Sequence, residues 1–174
     1  NVLGLADNPK TITMGITHAC MTFFNGKAKC WGNNFFGQLG SGTSSPSSIH
    51  TRVNTYVDIN QVTLGSLHSC LLSNDGEVQC WGSNYFGQLG IGFPPRQGQD
   101  TNSYMSPQFV YLGKQAKQIS LGSEYSCALL IDGEVKCWGK NQYGQLGLGY
   151  THVKARPQSL SLIGSVKQIA LGGE

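Results

Sequence analysis

Six cysteines occur as three pairs, and in each pair the two residues are ten positions apart. An Asn-Gly or Asp-Gly dipeptide lies midway in each pair, at Asn25-Gly26, Asp75-Gly76 and Asp132-Gly133. Such a dipeptide closes a β-hairpin, with the glycine in the left-handed region. Directly opposed residues of a hairpin have Cβ atoms about 4.5–5.5 Å apart, which is close to disulfide reach after a small adjustment. The spacing therefore predicts three disulfides: Cys20–Cys30, Cys70–Cys80 and Cys127–Cys137.

Free buried thiols and a metal site are the alternative interpretations of these cysteines. The sequence has no C-x2-C motif, and the His that stands two residues before Cys20 and Cys70 is replaced by Tyr125 before Cys127. A tetrahedral zinc site present in all three copies would not tolerate that replacement. We therefore expect no metal and no cofactor. Because disulfides persist in oxidising compartments, the pairs predict a secreted protein or one at an extracellular surface.

The cysteine pairs are part of a longer repeated motif, C-x9-C-W-G-x-N-x-x-G-Q-L-G, which begins at residues 20, 70 and 127. Self-similarity at intervals of 50 and 57 residues is typical of propellers, solenoids and arrays. Short β-type runs, broken by Gly, Asn, Ser and Pro, indicate an all-β fold. In the second repeat we predict four strands, at Arg52–Val57, Asn60–Leu64, His68–Ser73 and Glu77–Trp81. Four strands followed by a glycine-rich return form one blade of a β-propeller.

The repeat divides the chain into blades. We predict that residues 1–174 form one segment of a β-propeller with four-stranded blades. It holds three complete blades and partial blades at both ends, and so represents a window of a longer array. The predicted boundaries are 1–10 for the tail of a preceding repeat, 11–60, 61–117 and 118–167 for the three repeats, and 168–174 for the start of a fourth.

A tryptophan follows the second cysteine in every copy. Successive side chains of a strand point to opposite faces, so this tryptophan faces away from the disulfide. A large aromatic side chain fills the gap between adjacent sheets, and stacking against a ligand is the alternative. We predict blade-to-blade packing for Trp31, Trp81 and Trp138.

The linker from Phe93 to Met105 carries the seven residues by which the second interval exceeds the first. Its aromatic residues, its arginine and its Pro-Pro are typical of contact surfaces, although a tolerated insertion is the alternative interpretation. The candidate partner contacts in this linker are Phe93, Arg96, Tyr104 and Met105.

Charge and hydropathy exclude several classes of protein. The net charge is +3 and the basic residues are scattered, so no basic stripe indicates binding to nucleic acid. No apolar run approaches the length of about 18 residues that spans a membrane. No repeat adds an acid, a base and a nucleophile to the shared motif, so we predict that the protein is not an enzyme.

These motifs resemble those of the regulator of chromosome condensation repeat family. The resemblance implies a β-propeller, usually of seven blades, of which this chain supplies about half. The best-known member is a nucleotide-exchange factor for a nuclear GTPase, and a plant member uses a G-W-R-H-T repeat to sense ultraviolet light. The paired cysteines do not suit the reducing environment of the nucleus, which argues against nucleotide exchange there. The G-W-R-H-T repeat is absent, so the sequence does not support light sensing. The matching elements are Gly15 with His18, Gly65 with His68 and Ser69, Asp75-Gly76, Asp132-Gly133 and all three W-G-x-N-x-x-G-Q-L-G runs.

The cysteine pairs make the chain more similar to extracellular members of the family, which include receptor ectodomains. We therefore predict a non-enzymatic extracellular scaffold that binds a protein partner or copies of itself, with a glycan as a further class of ligand. A structural subunit of an extracellular fibre or surface layer is the alternative, because a contact that does not close on itself produces a filament. Guanine-nucleotide exchange is a third hypothesis.

Overall fold

The computed structural model of this chain describes residues 8–92, 103–161 and 164–173. Over these ranges the regular secondary structure consists of twelve β-strands. The strands are β1 Pro9–Met14, β2 His18–Phe23, β3 Ala28–Gly32, β4 Ser47–Arg52, β5 Ile59–Leu64, β6 His68–Ser73, β7 Val78–Ser83, β8 Ser103–Val110, β9 Ala116–Leu121, β10 Tyr125–Leu130, β11 Val135–Gly139 and β12 Lys154–Ser159.

Consecutive groups of four strands form three antiparallel sheets, β1–β4, β5–β8 and β9–β12. We call these sheets blades 1, 2 and 3. The first strand of each later blade contacts the first and second strands of the blade before it. The first strands therefore lie innermost, and the fourth strands form the outer rim. This arrangement confirms the predicted all-β propeller with four-stranded blades.

Each central hairpin places two cysteines directly opposite each other. Cys20 pairs with Cys30, Cys70 with Cys80, and Cys127 with Cys137 in the strand register. The turn glycines have positive φ, 75° at Gly26, 79° at Gly76 and 89° at Gly133. An L side chain rarely adopts this conformation, so glycine allows the tight turn that sets the register. Disulfides join all three pairs.

The first of the four strands predicted for the second repeat, Arg52–Val57, was wrong. Residues 52–57 do not form a strand of blade 2, because the strand Ser47–Arg52 ends there and pairs with β3 of blade 1. The outer strand of blade 2 is Ser103–Val110, paired with β7. An outer strand is half-exposed and polar, so it lacks the apolar alternation that marks the inner strands. The other three predicted runs coincide with β5, β6 and β7 to within two residues.

The hydrophobic core lies between the blades. One cluster joins residues of blades 1 and 2, such as Leu39 and Trp81, and another joins residues of blades 2 and 3, such as Leu89 and Trp138. All residues of β6 and β10 are buried. We call each boundary between adjacent blades a seam, and its packing fixes the position of the loops at the ends of the strands.

Candidate interaction face

The antiparallel order of the strands sorts the connections onto two faces. The loops that join the first strand to the second and the third to the fourth emerge on one face, which we call the loop face. The hairpin turns and the connections to the next blade emerge on the opposite turn face. The loop-face residues are 15–17, 33–46, 65–67, 84–92, 122–124 and 140–153.

A buried asparagine organises the long loop of each blade. Asn34 accepts the backbone N–H of Leu39 at Oδ1, and its Nδ2 donates to the carbonyls of Thr43 and Ser45. The glutamine of G-Q-L-G adds a second brace, because Gln38 Oε1 accepts the N–H of Phe36. Equivalent bonds recur at Asn84 with Gln88 and at Asn141 with Gln145. These side chains hold the loop backbone in a fixed conformation.

The braced loops present aromatic side chains to solvent. Phe35 is 70% exposed, Tyr85 66% and Tyr143 75%, and together we call them the loop-face aromatics. The three rings lie on the same face, one on the long loop of each blade. Because the loop backbone is already ordered, a partner would bind these rings at a small cost in conformational entropy.

Acidic residues are distributed unevenly between the two faces. Six of the nine acidic residues fall in the described ranges, and five of these lie on the turn face: Asp58, Asp75, Glu77, Asp132 and Glu134. The sixth, Glu124, lies on the loop face, where Lys140 Nζ binds its Oε2 at 2.6 Å. Within the described ranges, the loop face therefore carries aromatic and neutral polar groups and no unpaired carboxylate.

A hydrogen-bonded set of residues, which we call the interblade network, joins the loop face to the next blade at each seam. His18 Nε2 lies 2.9 Å from Ser69 Oγ, and both Ser69 Oγ and Trp81 Nε1 donate to the carbonyl of Gln38 at 2.8 Å. At the second seam the same bonds link His68, Ser126, Trp138 and the carbonyl of Gln88.

The interblade network fixes the protonation of its histidines. A carbonyl only accepts, so Ser69 donates its single proton to Gln38 and must accept from His18 Nε2–H. The same argument assigns the Nε2–H tautomer to His68. Burial lowers the pKa of His18 to about 4, and it lowers the pKa of His68 to about 3 with a smaller contribution from His18. Both rings are therefore neutral near pH 7, and their roles are structural.

The predicted packing residues occupy two environments. Trp81 and Trp138 are fully buried in the seams, where no ring face is open to a ligand. Trp31 is half-buried and makes an edge contact with His50 of its own blade, with 5.0 Å between ring centroids.

The predicted partner contacts fall only partly within the described residues. Phe93 and Arg96 lie outside them. Tyr104 packs against the core cluster of blades 2 and 3. Met105 is 41% exposed, its carbonyl accepts Gly42 N–H at 2.8 Å, and its side chain lies against Gly37. Met105 thus braces the long loop of blade 1, and contact of Tyr104 and Met105 with a partner stays a prediction.

The sequence reasoning missed the loop-face aromatics. Their signal is the pair of residues that follows the buried asparagine in each repeat, Phe-Phe, Tyr-Phe and Gln-Tyr. It also missed the hydrogen-bonding roles of Ser69 and Ser126, although Ser69 directly follows His68 and Ser126 follows Tyr125 at the equivalent position. Among the described residues, no cluster of three or more metal-binding side chains occurs, and no helix is long and apolar enough to span a membrane.

Comparisons with known proteins agree with this architecture. A family model of the regulator of chromosome condensation (RCC1) repeat matches residues 25–72, 75–129 and 132–174, and a second model of this repeat matches 10–38, 59–88 and 116–145. The X-linked retinitis pigmentosa GTPase regulator of Canis lupus familiaris is 30% identical over 156 residues, which cover 90% of this chain and 15% of that protein.

Two solved structures are also similar. Prp20p from Saccharomyces cerevisiae has a TM-score of 0.81 at 23% identity, over 95% of this chain and 42% of that chain. The CRINKLY WD40 ectodomain of the Arabidopsis thaliana receptor kinase ACR4 has a TM-score of 0.50 at 26% identity, over 75% of this chain and 39% of that chain. The chain spans at most 15% of the length of the curated relatives it matches. With family models that match most of its residues, the chain belongs to the regulator of chromosome condensation (RCC1) repeat family.

Proposed function

We propose that this chain is a non-enzymatic, extracellular interaction scaffold whose loop face binds a protein partner. The observation that carries the proposal is the group of exposed loop-face aromatics on backbone that Asn34, Asn84 and Asn141 hold in place. Aromatic residues dominate the binding energy of protein interfaces, and serine, glycine and asparagine supply adaptable polar contacts around them. The loop face combines these residue types and lacks an unpaired carboxylate in the described ranges.

The extracellular location is supported by the disulfides. All six cysteines are paired, and none is more than 5% exposed. A reducing compartment would keep such thiols from pairing, whereas a secreted protein retains the bridges. The likeness to a receptor-kinase ectodomain adds support, since that propeller is also part of an extracellular region.

Gly92, which precedes the linker, lies on the loop face, and Met105 at the end of the linker contacts Gly42 in the long loop of blade 1. We include Phe93, Arg96, Tyr104 and Met105 in the proposed contact surface for this reason.

The partner in this proposal is a separate protein or a second copy of the chain. In a structural subunit, contacts between copies of the chain would repeat and build a fibre or a surface layer. Electron microscopy of untagged protein at neutral pH without reductant distinguishes them. Discrete particles support a binding scaffold, and fibres or sheets support a structural subunit. Nucleotide exchange is a third candidate, because relatives named as GTPase regulators share the fold. It is less favoured, since the disulfides indicate an oxidising compartment. Accelerated nucleotide release from a purified nuclear GTPase would support it.

The loop face is tested with the triple variant Phe35→Ser, Tyr85→Ser, Tyr143→Ser. Phe24→Ser with Ile131→Ser is the matched control, because these exposed residues lie on the turn face. Each protein is immobilised and incubated with the extracellular fraction of the source cells. We expect the wild type and the control to retain the same bound proteins, and the triple variant to lose them with an unchanged melting temperature. Equal retention by all three proteins would refute binding through the loop face.

A further inference from the structure

Blade 2 carries a second group of exposed aromatics, away from the loop face. Tyr56 is 82% exposed, Phe109 49% and Tyr111 86%. The rings of Tyr56 and Phe109 contact each other, with centroids 6.3 Å apart. We call these three residues the aromatic ridge. Phe109 and Tyr111 lie where the outer strand β8 ends and the chain turns towards blade 3, and Tyr56 lies in the connection from β4 to β5.

The other blades show that the fold does not require aromatic residues at the end of this strand. Val53, Val110 and Leu160 hold equivalent places, since each pairs with the residue two before the second cysteine of its blade. The residues on either side of Val110 are Phe109 and Tyr111. Their counterparts are Arg52 and Asn54 in blade 1, and Ser159 and Ser161 in blade 3. The two rings of blade 2 are therefore additions to a strand that folds with polar residues.

Two clefts flank Phe109 and Tyr111. One, of about 430 Å³, lies on the turn face between residues 76–78 and 109–115. The other, of about 390 Å³, lies at the outer rim between β8 and β12, and we call it the rim cleft. Cavities of this size match those that hold small ligands or single side chains.

The rim cleft is positively charged. Its lining includes Lys136 and Arg156, together with Phe109, Tyr111 and Pro157, and no acidic residue. Lys136 Nζ donates to the carbonyl of Leu112 at 2.8 Å and lies 3.9 Å from a Glu134 oxygen. The guanidinium of Arg156 lies against Gly92, and no acid pairs with it within the described ranges. An arginine beside aromatic rings is a site for a carboxylate next to an apolar group.

The strands beside the rim cleft are protected against the addition of another strand. Pro107 and Pro157 remove backbone donors from β8 and β12, and the side chains of Gln108 and Gln158 donate to nearby carbonyls of their own strands. A partner would therefore be held through its side chains and not by continuing the sheet.

We propose that the rim cleft and the aromatic ridge bind an extended acidic segment of a partner protein. An aspartate or glutamate carboxylate of that segment pairs with Arg156, and an adjacent apolar side chain packs between Phe109 and Tyr111. The rim cleft lies at the outer rim and contains none of the loop-face aromatics, so its binding can be tested separately from the loop-face interaction.

The test uses the full chain and an array of hexapeptides in which one aspartate is flanked by Leu, Ile, Phe, Tyr or Pro. A matched array carries asparagine in place of the aspartate. The strongest binders are then measured by fluorescence polarisation. We expect the aspartate peptides to bind about tenfold more tightly than their asparagine partners, and the difference to shrink as salt is added.

Two variants copy residues that other blades already carry, so they preserve the fold. The double variant Phe109→Ser, Tyr111→Ser gives blade 2 the two serines that blade 3 has at the equivalent positions. Arg156→Ser gives blade 3 the serine that blade 2 has at position 106. Each variant is expected to weaken binding about tenfold, whereas the loop-face triple variant leaves it unchanged. The proposal is overturned if no peptide binds, if the two arrays bind equally, or if both serine variants bind as the wild type does. It is also overturned if a heparin hexasaccharide binds in an Arg156-dependent manner and the peptides do not, because the occupant would then be an acidic glycan.

Discussion

His68 Nε2 lies 3.0 Å from Ser126 Oγ, and this hydrogen bond crosses the seam between blades 2 and 3. Both groups are fully buried. Ser126 also donates to the carbonyl of Gln88. Its hydroxyl therefore connects His68, which follows the loop between β5 and β6, with the long loop of blade 2. Removing that hydroxyl leaves the His68 N–H without a partner inside the protein.

Ser126→Ala should therefore lower the free energy of unfolding by about 1–3 kcal/mol, the range for a buried donor left unsatisfied. Alanine fits the space, because Ala19 holds the equivalent position in blade 1. Urea denaturation measures the change. Ser44→Ala, at an exposed loop position, is the control and should change stability by less than about 0.5 kcal/mol. Equal midpoints for the two variants would show that the hydrogen bond contributes nothing.

The tryptophans should differ in their contribution to stability. Trp81→Ala removes a fully buried side chain and its bond to the Gln38 carbonyl, and should cost about 3–5 kcal/mol. Trp31→Ala should cost about 1–2 kcal/mol, because part of that side chain is already exposed to water. Both are measured by chemical denaturation with tryptophan fluorescence. A larger loss for Trp31 would contradict the assignment of Trp81 to blade packing.

Stability should fall as the pH is lowered from 7.5 to 5.5. The pKa of His18 is about 4 and that of His68 about 3, both below the value of 6.5 expected in the unfolded chain. Between these values the unfolded chain binds protons that the folded chain does not, so acid favours unfolding. The loss is complete near the folded pKa and absent above pH 6.5.

At pH 5.5 each of the two buried histidines, His18 and His68, should reduce the free energy of unfolding by about 1.4 kcal/mol relative to pH 7.5. His68→Gln should remove about half of this pH dependence. Asp132 and Glu134, whose pKa values are lowered mainly by hydrogen bonds from Lys114 and Ser159 respectively, affect stability only below about pH 5. An identical pH profile for His68→Gln and the wild type would refute the role of burial.

The disulfides should resist reduction in the folded protein. Because the six sulfurs are buried, mild reductant without denaturant should leave the mass unchanged, and reduction in denaturant should raise it by about 6 Da. Cys70→Ala with Cys80→Ala should lower the free energy of unfolding by about 2–3 kcal/mol on the chain-entropy model. Mass spectrometry and urea denaturation check these outcomes. Ready alkylation of the native protein in mild reductant would contradict them.

Local sequence signals were sufficient for the hairpins. The Asp-Gly and Asn-Gly turns set the register, so the opposition of Cys70 and Cys80 follows from residues that are close in sequence. The outer strands could not be found in the same way. The strand Ser47–Arg52 is polar and half-exposed, and it is recognised only by its pairing with β3.

The contacts across the seams also could not be predicted from a single sequence. His18 and Ser69 are 51 residues apart, and their bond depends on how one blade is rotated against the next. The loop-face aromatics were visible as residues, but their exposure depends on the direction that the buried Asn34 gives to the loop.

Gln38 and Gln88 receive the bonds from the next blade at their main-chain carbonyls, and every residue type has such a carbonyl. Substitutions at Phe35 or Tyr85 therefore leave these acceptors in place. Evolution could accordingly exchange the side chains of this face, and with them the specificity of the propeller, without loosening the joints between its blades.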